Sequence, residues 1–129
     1  MCWLNKILGS IAKPVERVQH PGGGFESAAA AIAELLRKNR AASDDGWAQI
    51  EASIPGRTVT VQVMRDQLNL LLEELPPHAG EALDLERINE GLYRMADASP
   101  EGIAATIDAL INVHFGLGAG YAVVGKLDG

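Results

Sequence analysis

The chain holds a single cysteine, Cys2, among 129 residues. No intramolecular disulfide is therefore available, and a reducing, cytoplasmic setting is expected. No apolar run comes near the roughly 18 residues that a membrane span requires. The first apolar stretch is interrupted by Asn5 and Lys6, so no signal peptide is read there. Positive charge is scarce as well. Eleven Lys and Arg face 17 Asp and Glu, giving a net charge of −6 and a pI near 4.9, which argues against nucleic-acid backbone as a partner. The shortage is uneven: Lys6, Lys13 and Arg17 against Glu16 give the first 20 residues +2, leaving −8 for the rest.

Chemistry-bearing patterns are missing too. His20, His78 and His114 stand alone, with no second ligand at metal-site spacing, so no metal is assigned. Cys2 lacks the surroundings of a catalytic thiol. Glu73-Glu74 and Asp84-Leu85-Glu86 are carboxylate neighbours on an acidic chain, where solvating charge is the ordinary role. Gly22-Gly23-Gly24 lacks the preceding strand and the Lys-Ser/Thr pair of a phosphate loop. Gly116-Leu117-Gly118-Ala119-Gly120 opens like a dinucleotide loop but runs from helix to strand, the reverse of what pyrophosphate binding requires. No catalytic residue and no cofactor site emerges. The chain is read as non-enzymatic.

What is present centres on Gly46 to Leu75. Ala48, Ile50 and Ala52 alternate with Trp47, Gln49, Glu51 and Ser53. Val59, Val61 and Val63 alternate with Thr58, Thr60, Gln62 and Met64. Period-two alternation puts each set on one face of a sheet, and Ile54-Pro55-Gly56-Arg57 between them predicts an antiparallel hairpin. Arg65 to Leu75 reads two ways. As a strand it groups Leu68, Leu70 and Leu72 and leaves Leu71 opposite; as a helix it groups Leu68, Leu71, Leu72 and Leu75.

Helical patterns flank this region. Leu4, Ile7, Leu8, Ile11, Val15 and Val18 make residues 3–18 an amphipathic helix with a kink at Pro14. His20 to Gly24 follows as a hinge, so residues 1–20 are expected to form a semi-detached arm. Trp3, Leu4, Ile7, Leu8 and Ile11 on that arm could rest on a membrane surface. Packing on the arm's own domain or a second copy is preferred, because a charge of +2 is small for an anionic surface. Phe25 to Arg40 is a helix with Phe25, Ala29, Ile32 and Leu36 as its stripe. Leu85, Ile88, Leu92 and Met95 align in a helix over Leu83–Ala98, with Asp84 as its cap and Glu90–Arg94 as an i, i+4 pair. Ser99-Pro100-Glu101 starts a last helix with Ile103, Ile107, Leu110 and Ile111 toward the core and Gly116 as terminator. Tyr121 to Val124 is a short final strand at a sheet edge.

If the valines face the helices, the opposite sheet face carries Trp47, Met64 and, in the strand reading, Leu71. These stand among Gln49, Glu51, Thr60, Gln62 and Asn69. A mixed polar and large-apolar face serves as a contact surface, covered by the N-terminal arm, a second copy or a polypeptide partner. Trp47, Gln49, Gln62, Met64 and Leu71 are the candidate protein-binding residues.

The segments GWAQIEA, TVTVQV, LNLLLEEL, INEGLYRM and IAATIDALINVHFGLGAGYAVVG, in that order, resemble the small bacterial domains related to type III secretion chaperones and YbjN. The resemblance spans about residues 25–127 and rests on pattern and order. It implies an α+β, dimeric, chaperone-like protein that holds a polypeptide against its sheet and helices, and it tips Arg65–Leu75 toward strand. A strand expected between the middle and final helices has Leu92–Ala96 as its candidate, against the helical periodicity there. No functional residue carries over.

The reading is thus a single α+β domain over residues 25–129, after an arm (1–20) and a hinge (21–24). Its small antiparallel sheet, a three-stranded meander plus a terminal strand, packs against helices. The expected role is non-catalytic binding of a polypeptide, as a homodimer in the cytoplasm. The alternatives are a peripheral membrane protein anchored by the first helix, or a small-molecule-binding protein or enzyme of unknown chemistry.

Overall fold

The computed structural model describes residues 17–42, 46–71 and 73–128. Trp3, Leu4, Ile7, Leu8 and Ile11, with the rest of the arm to Glu16, lie outside the described residues. The fold is α+β, as expected, but the sheet is larger than the sequence reading. Among the described residues seven strands hydrogen-bond in the order β1-β7-β2-β3-β4-β6-β5, every pair antiparallel. They are β1 (Arg17–His20), β2 (Trp47–Ile54), β3 (Arg57–Met64), β4 (Gln67–Leu71), β5 (Leu85–Asn89), β6 (Leu92–Met95) and β7 (Ala122–Asp128). The described helices are α1 (Ala28–Ala42), the single turn α2 (Ala79–Ala82) and α3 (Pro100–Ala109), which widens into a π-helical turn over Leu110–His114. Among the described residues no helix is long and apolar enough to cross a membrane.

The hairpin forms where the alternation places it. Ile54 pairs with Arg57 across the Pro55-Gly56 turn, and Gly56 takes a left-handed φ of 86°. Ala48, Ile50, Ala52, Val59 and Val61 are fully buried on one face. The ambiguous segment resolves as strand for Gln67–Leu71, antiparallel to β3 after a turn at Arg65-Asp66. Leu68 and Leu70 enter the core, and Leu71 sits half-buried on the other side. Helix propensity loses here because β3 and β6 satisfy the backbone of β4 from both sides.

The helix expected over Leu83–Ala98 is instead the β5–β6 hairpin, turned at Glu90-Gly91 with Gly91 at φ 73°. Of the four residues aligned for a helical stripe, Met95 alone is fully buried, whereas Ile88 is 41% exposed. The deciding contacts are long-range. Tyr93 pairs with Leu68, Leu70 N donates to Gly91 O at 2.8 Å, and Met95 N donates to Asp66 O at 2.7 Å. Leu92–Met95, within the segment read as helix from its periodicity, is strand.

Two further corrections concern the sheet's other side. The final strand is longer than Tyr121–Val124 and lies inside the sheet, between β1 and β2, not at an edge. Residues 17–20, expected in the helical arm, form edge strand β1, with Val18 in the core at 5% exposure. The glycines after it form a turn. Gly22 and Gly24 have φ of 98° and 85°, and a Cβ on Gly23 would run into the Gln19 carbonyl.

Helix α1 begins at Ala28, capped by Ser27, whose Oγ accepts from Ala30 N at 3.0 Å. Phe25 packs on the core from the preceding loop. Buried Asn39 donates through Nδ2 to Gly46 O at 3.0 Å and so fixes the approach to β2. The helix lies over β1, β7 and β2 and against α3. Gly125 lets it come close: a Cβ there would sit 2.6 Å from Leu35 Cδ2 and 3.1 Å from Val18 Cγ2. Gly125→Val is therefore expected to cost about 1–3 kcal/mol through overpacking, measured as a shift of the denaturation midpoint. Helix α3 starts as anticipated, with Ser99 Oγ accepting from Gly102 N at 3.0 Å and Pro100 in the first turn. Ile103, Ile107, Leu110 and Ile111 are buried, and Gly116 takes φ 77° beyond the π turn. Arg57 ties that end to the hairpin by donating to Phe115 O at 3.1 Å and to Glu73 Oε1 at 3.2 Å, its guanidinium 5.7 Å from the Phe115 ring centroid.

Candidate functional site

Strand alternation sends the second set of side chains to the face away from α1. The register places them in rungs across the sheet. Arg17 opposes Lys126, Lys126 opposes Gln49, Gln49 opposes Gln62, Gln62 opposes Asn69, and Asn69 opposes Leu92. The next rung holds Gln19, Val124, Glu51, Thr60 and Leu71. Trp47 and Met64 stand together at one end of β2 and β3. Of the five candidate binding residues, the fold thus brings Gln49, Gln62, Trp47 and Met64 side by side. Leu71 shares the face but lies away from the Trp47–Met64 end, opposite Thr60. All five are half-buried.

The centre of this face is a chain of amides. Asn69 Nδ2 donates to Gln62 Oε1 at 3.3 Å, Gln62 Nε2 donates to Gln49 Oε1 at 3.3 Å, and Gln49 Nε2 reaches Glu51 Oε1 at 3.5 Å. Each amide keeps unused donor or acceptor capacity, so the ladder orders these side chains while leaving groups able to bond a partner. Toward β1 the face dips into a depression of about 250 Å³ lined by Arg17, Gln49, Glu51, Val124 and Lys126. A second hollow of about 480 Å³ lies between the β1 edge and α1, with Arg17, Gly22, Gly23 and Phe25 in its wall.

Arg17, Val124, Lys126 and Leu92 join the face although the sequence reading did not include them. Val123, Gly125 and Leu127 do alternate with Val124 and Lys126, but the glycine interrupts the apolar series that would have marked a longer strand. Arg17 and Gln19 flank buried Val18, a pattern too short to compete with the helical stripe before it.

The perturbed ionisable groups serve the helix ends and the core. The Ser99 backbone N–H and hydroxyl donate to Asp97 Oδ1 at 2.9 and 2.8 Å and hold that carboxyl below its usual range. The Glu101 carboxyl is lowered by its own backbone N–H and by Arg37, whose pKa rises in turn through Glu101 and Glu34. Burial, and then the 2.8 Å bond to Asp108, push the Tyr121 hydroxyl far above its usual value. None of these groups lines the open face. His20 lies on β1, His78 in the turn before α2 and His114 in the π-helical turn, and among the described residues no cluster of His, Cys, Asp and Glu could hold a metal ion. The face can bond, stack and pair charge. No protein-family model, no curated protein and no solved structure matches this chain.

Proposed function

We propose that this chain is a non-catalytic, chaperone-like module that binds a polypeptide on the open face of its sheet, acting as a homodimer in the cytoplasm. The observation that carries the reading is the half-buried ladder Gln49–Gln62–Asn69 beside Trp47 and Met64, opposite a face packed by helix. Large apolar groups set among hydrogen-bonding amides match what polypeptide contact surfaces use: an apolar anchor with polar groups around it. The single cysteine fits the compartment. The resemblance to type III secretion chaperones and YbjN supports the same role, since polypeptide holding is what that likeness implies.

The test is a peptide library displayed on phage and selected on the full chain, followed by affinity measurements on synthetic versions of the enriched peptides. Burying a side chain of this size contributes roughly 1.5–3 kcal/mol, so Met64→Glu is expected to weaken peptide binding or dimerisation about tenfold or more. The melting temperature should move little, because Met64 lies outside the core. Unfolding of the monomer by Met64→Glu, or unchanged affinity and unchanged mass in light scattering, would overturn the reading.

A further inference from the structure

We infer that the open face selects an acidic polypeptide segment, whose carboxylates are held at the β1–β7 corner by Arg17 and Lys126. This rests on the polypeptide-binding reading above and adds the chemistry of the partner. The two cations are directly opposed across β1 and β7, both exposed. Neither makes an ion pair or hydrogen bond with another described residue. Like charges on opposed residues weaken a sheet, so local stability does not account for the pair. Across the same face the opposite arrangement holds. Arg94 on β6 is compensated by Glu86 at 2.9 Å and by Asp66 at 3.8 Å.

The chain has six more acidic than basic residues, yet this corner places two cations, without an ion pair among the described residues, side by side in a depression with Gln49, Glu51 and Val124. Arg17 also lines the hollow beside α1, together with Glu34 and Lys38. The occupant that complements this is an anionic chain carrying apolar groups for the Trp47–Met64 end. The protein's own first 16 residues do not match, because Lys6 and Lys13 outnumber Glu16. A nucleic acid is disfavoured by the overall negative charge. Glu51 lines the same depression and opposes an incoming carboxylate, which gives the inference a second, oppositely signed consequence.

Poly-L-glutamate serves as the probe, titrated into isotope-labelled full-length protein at low salt while the amides of Arg17, Gln49, Val124 and Lys126 are followed. Poly-L-lysine and inorganic phosphate are the controls. Saturable shifts at these amides with poly-L-glutamate, fading as salt is raised, are expected. The double variant Arg17→Glu/Lys126→Glu keeps like charges opposed, so its melting should be close to the parent's, while its affinity for the probe falls about tenfold or more. Should that variant fold poorly, Arg17→Gln/Lys126→Gln gives the same comparison with a smaller loss. Glu51→Gln is expected to bind the probe more tightly. Absence of shifts, equal shifts with phosphate, or undiminished binding by a folded double variant overturns the inference. The inference and the reading beneath it fail differently: peptides released by Met64→Glu but indifferent to the double variant keep the open-face site and remove its acidic partner, whereas peptides indifferent to Met64→Glu remove the site itself.

Discussion

Val18→Asp is expected to destabilise the protein by about 3 kcal/mol or more, while Gln19→Asp, on the neighbouring position, leaves stability nearly unchanged. Val18 is 5% exposed and packs beneath α1, with its Cγ2 near Gly125 and Leu35. A carboxylate there would lose its hydration and find no partner. Gln19 alternates to the exposed side of the same strand. Equilibrium urea unfolding of both variants checks the contrast. The outcome matters for the limits of the folded unit. Read as part of an arm, residues 17–20 should tolerate substitution and even removal; as edge strand β1 they close the sheet beside β7. If Val18→Asp melts like the parent, β1 does not belong to the cooperative unit, and Arg17 would not be held opposite Lys126.

A comparable loss, about 2–5 kcal/mol, is expected for Ile107→Ala. Ile107 is fully buried on α3, among Ile103, Leu110 and Ile111 and against α1. Truncation removes three carbons from a site that rigid neighbours on two helices cannot collapse to fill, so a cavity term adds to the lost transfer energy. Val113, six residues on and 66% exposed, provides the control. Val113→Ala should fall within about 0.5 kcal/mol of the parent. With typical domain stabilities of roughly 5–15 kcal/mol, the Ile107 variant should show a clear drop in denaturation midpoint. Equal, small effects at both positions would mean that α3 is not part of the packed core, and the account of the buried face would need revision.

These two sites also mark how far local pattern reaches. The spacing of Ile103, Ile107, Leu110 and Ile111 after a Ser-Pro-Glu start predicts α3, its cap and its buried face, and the structure agrees. The alternation of Trp47–Ser53 with Thr58–Met64 likewise determines the central hairpin and which side chains leave the core. Those elements are legible because periodicity, capping and turn chemistry agree within a short stretch. The α+β class and the candidate face with Gln49, Gln62, Trp47 and Met64 follow from them.

Tertiary structure decided the rest. Leu85, Ile88, Leu92 and Met95 fit a helical stripe, but hydrogen bonds from Leu70 to Gly91 and from Met95 to Asp66 make strand pairing the better way to satisfy that backbone. Gln67–Leu71 favours helix by propensity and becomes strand because two neighbours flank it. Strand β7 runs through Gly125, a residue with no side chain to mark a periodicity, yet it pairs on both sides and lets α1 approach. Arg17 and Lys126, 109 positions apart in sequence, meet solely because β1 and β7 pair. A strand carries no internal hydrogen bonds, so its existence and its neighbours are settled by segments distant in the chain, whereas a capped helix states its own limits locally.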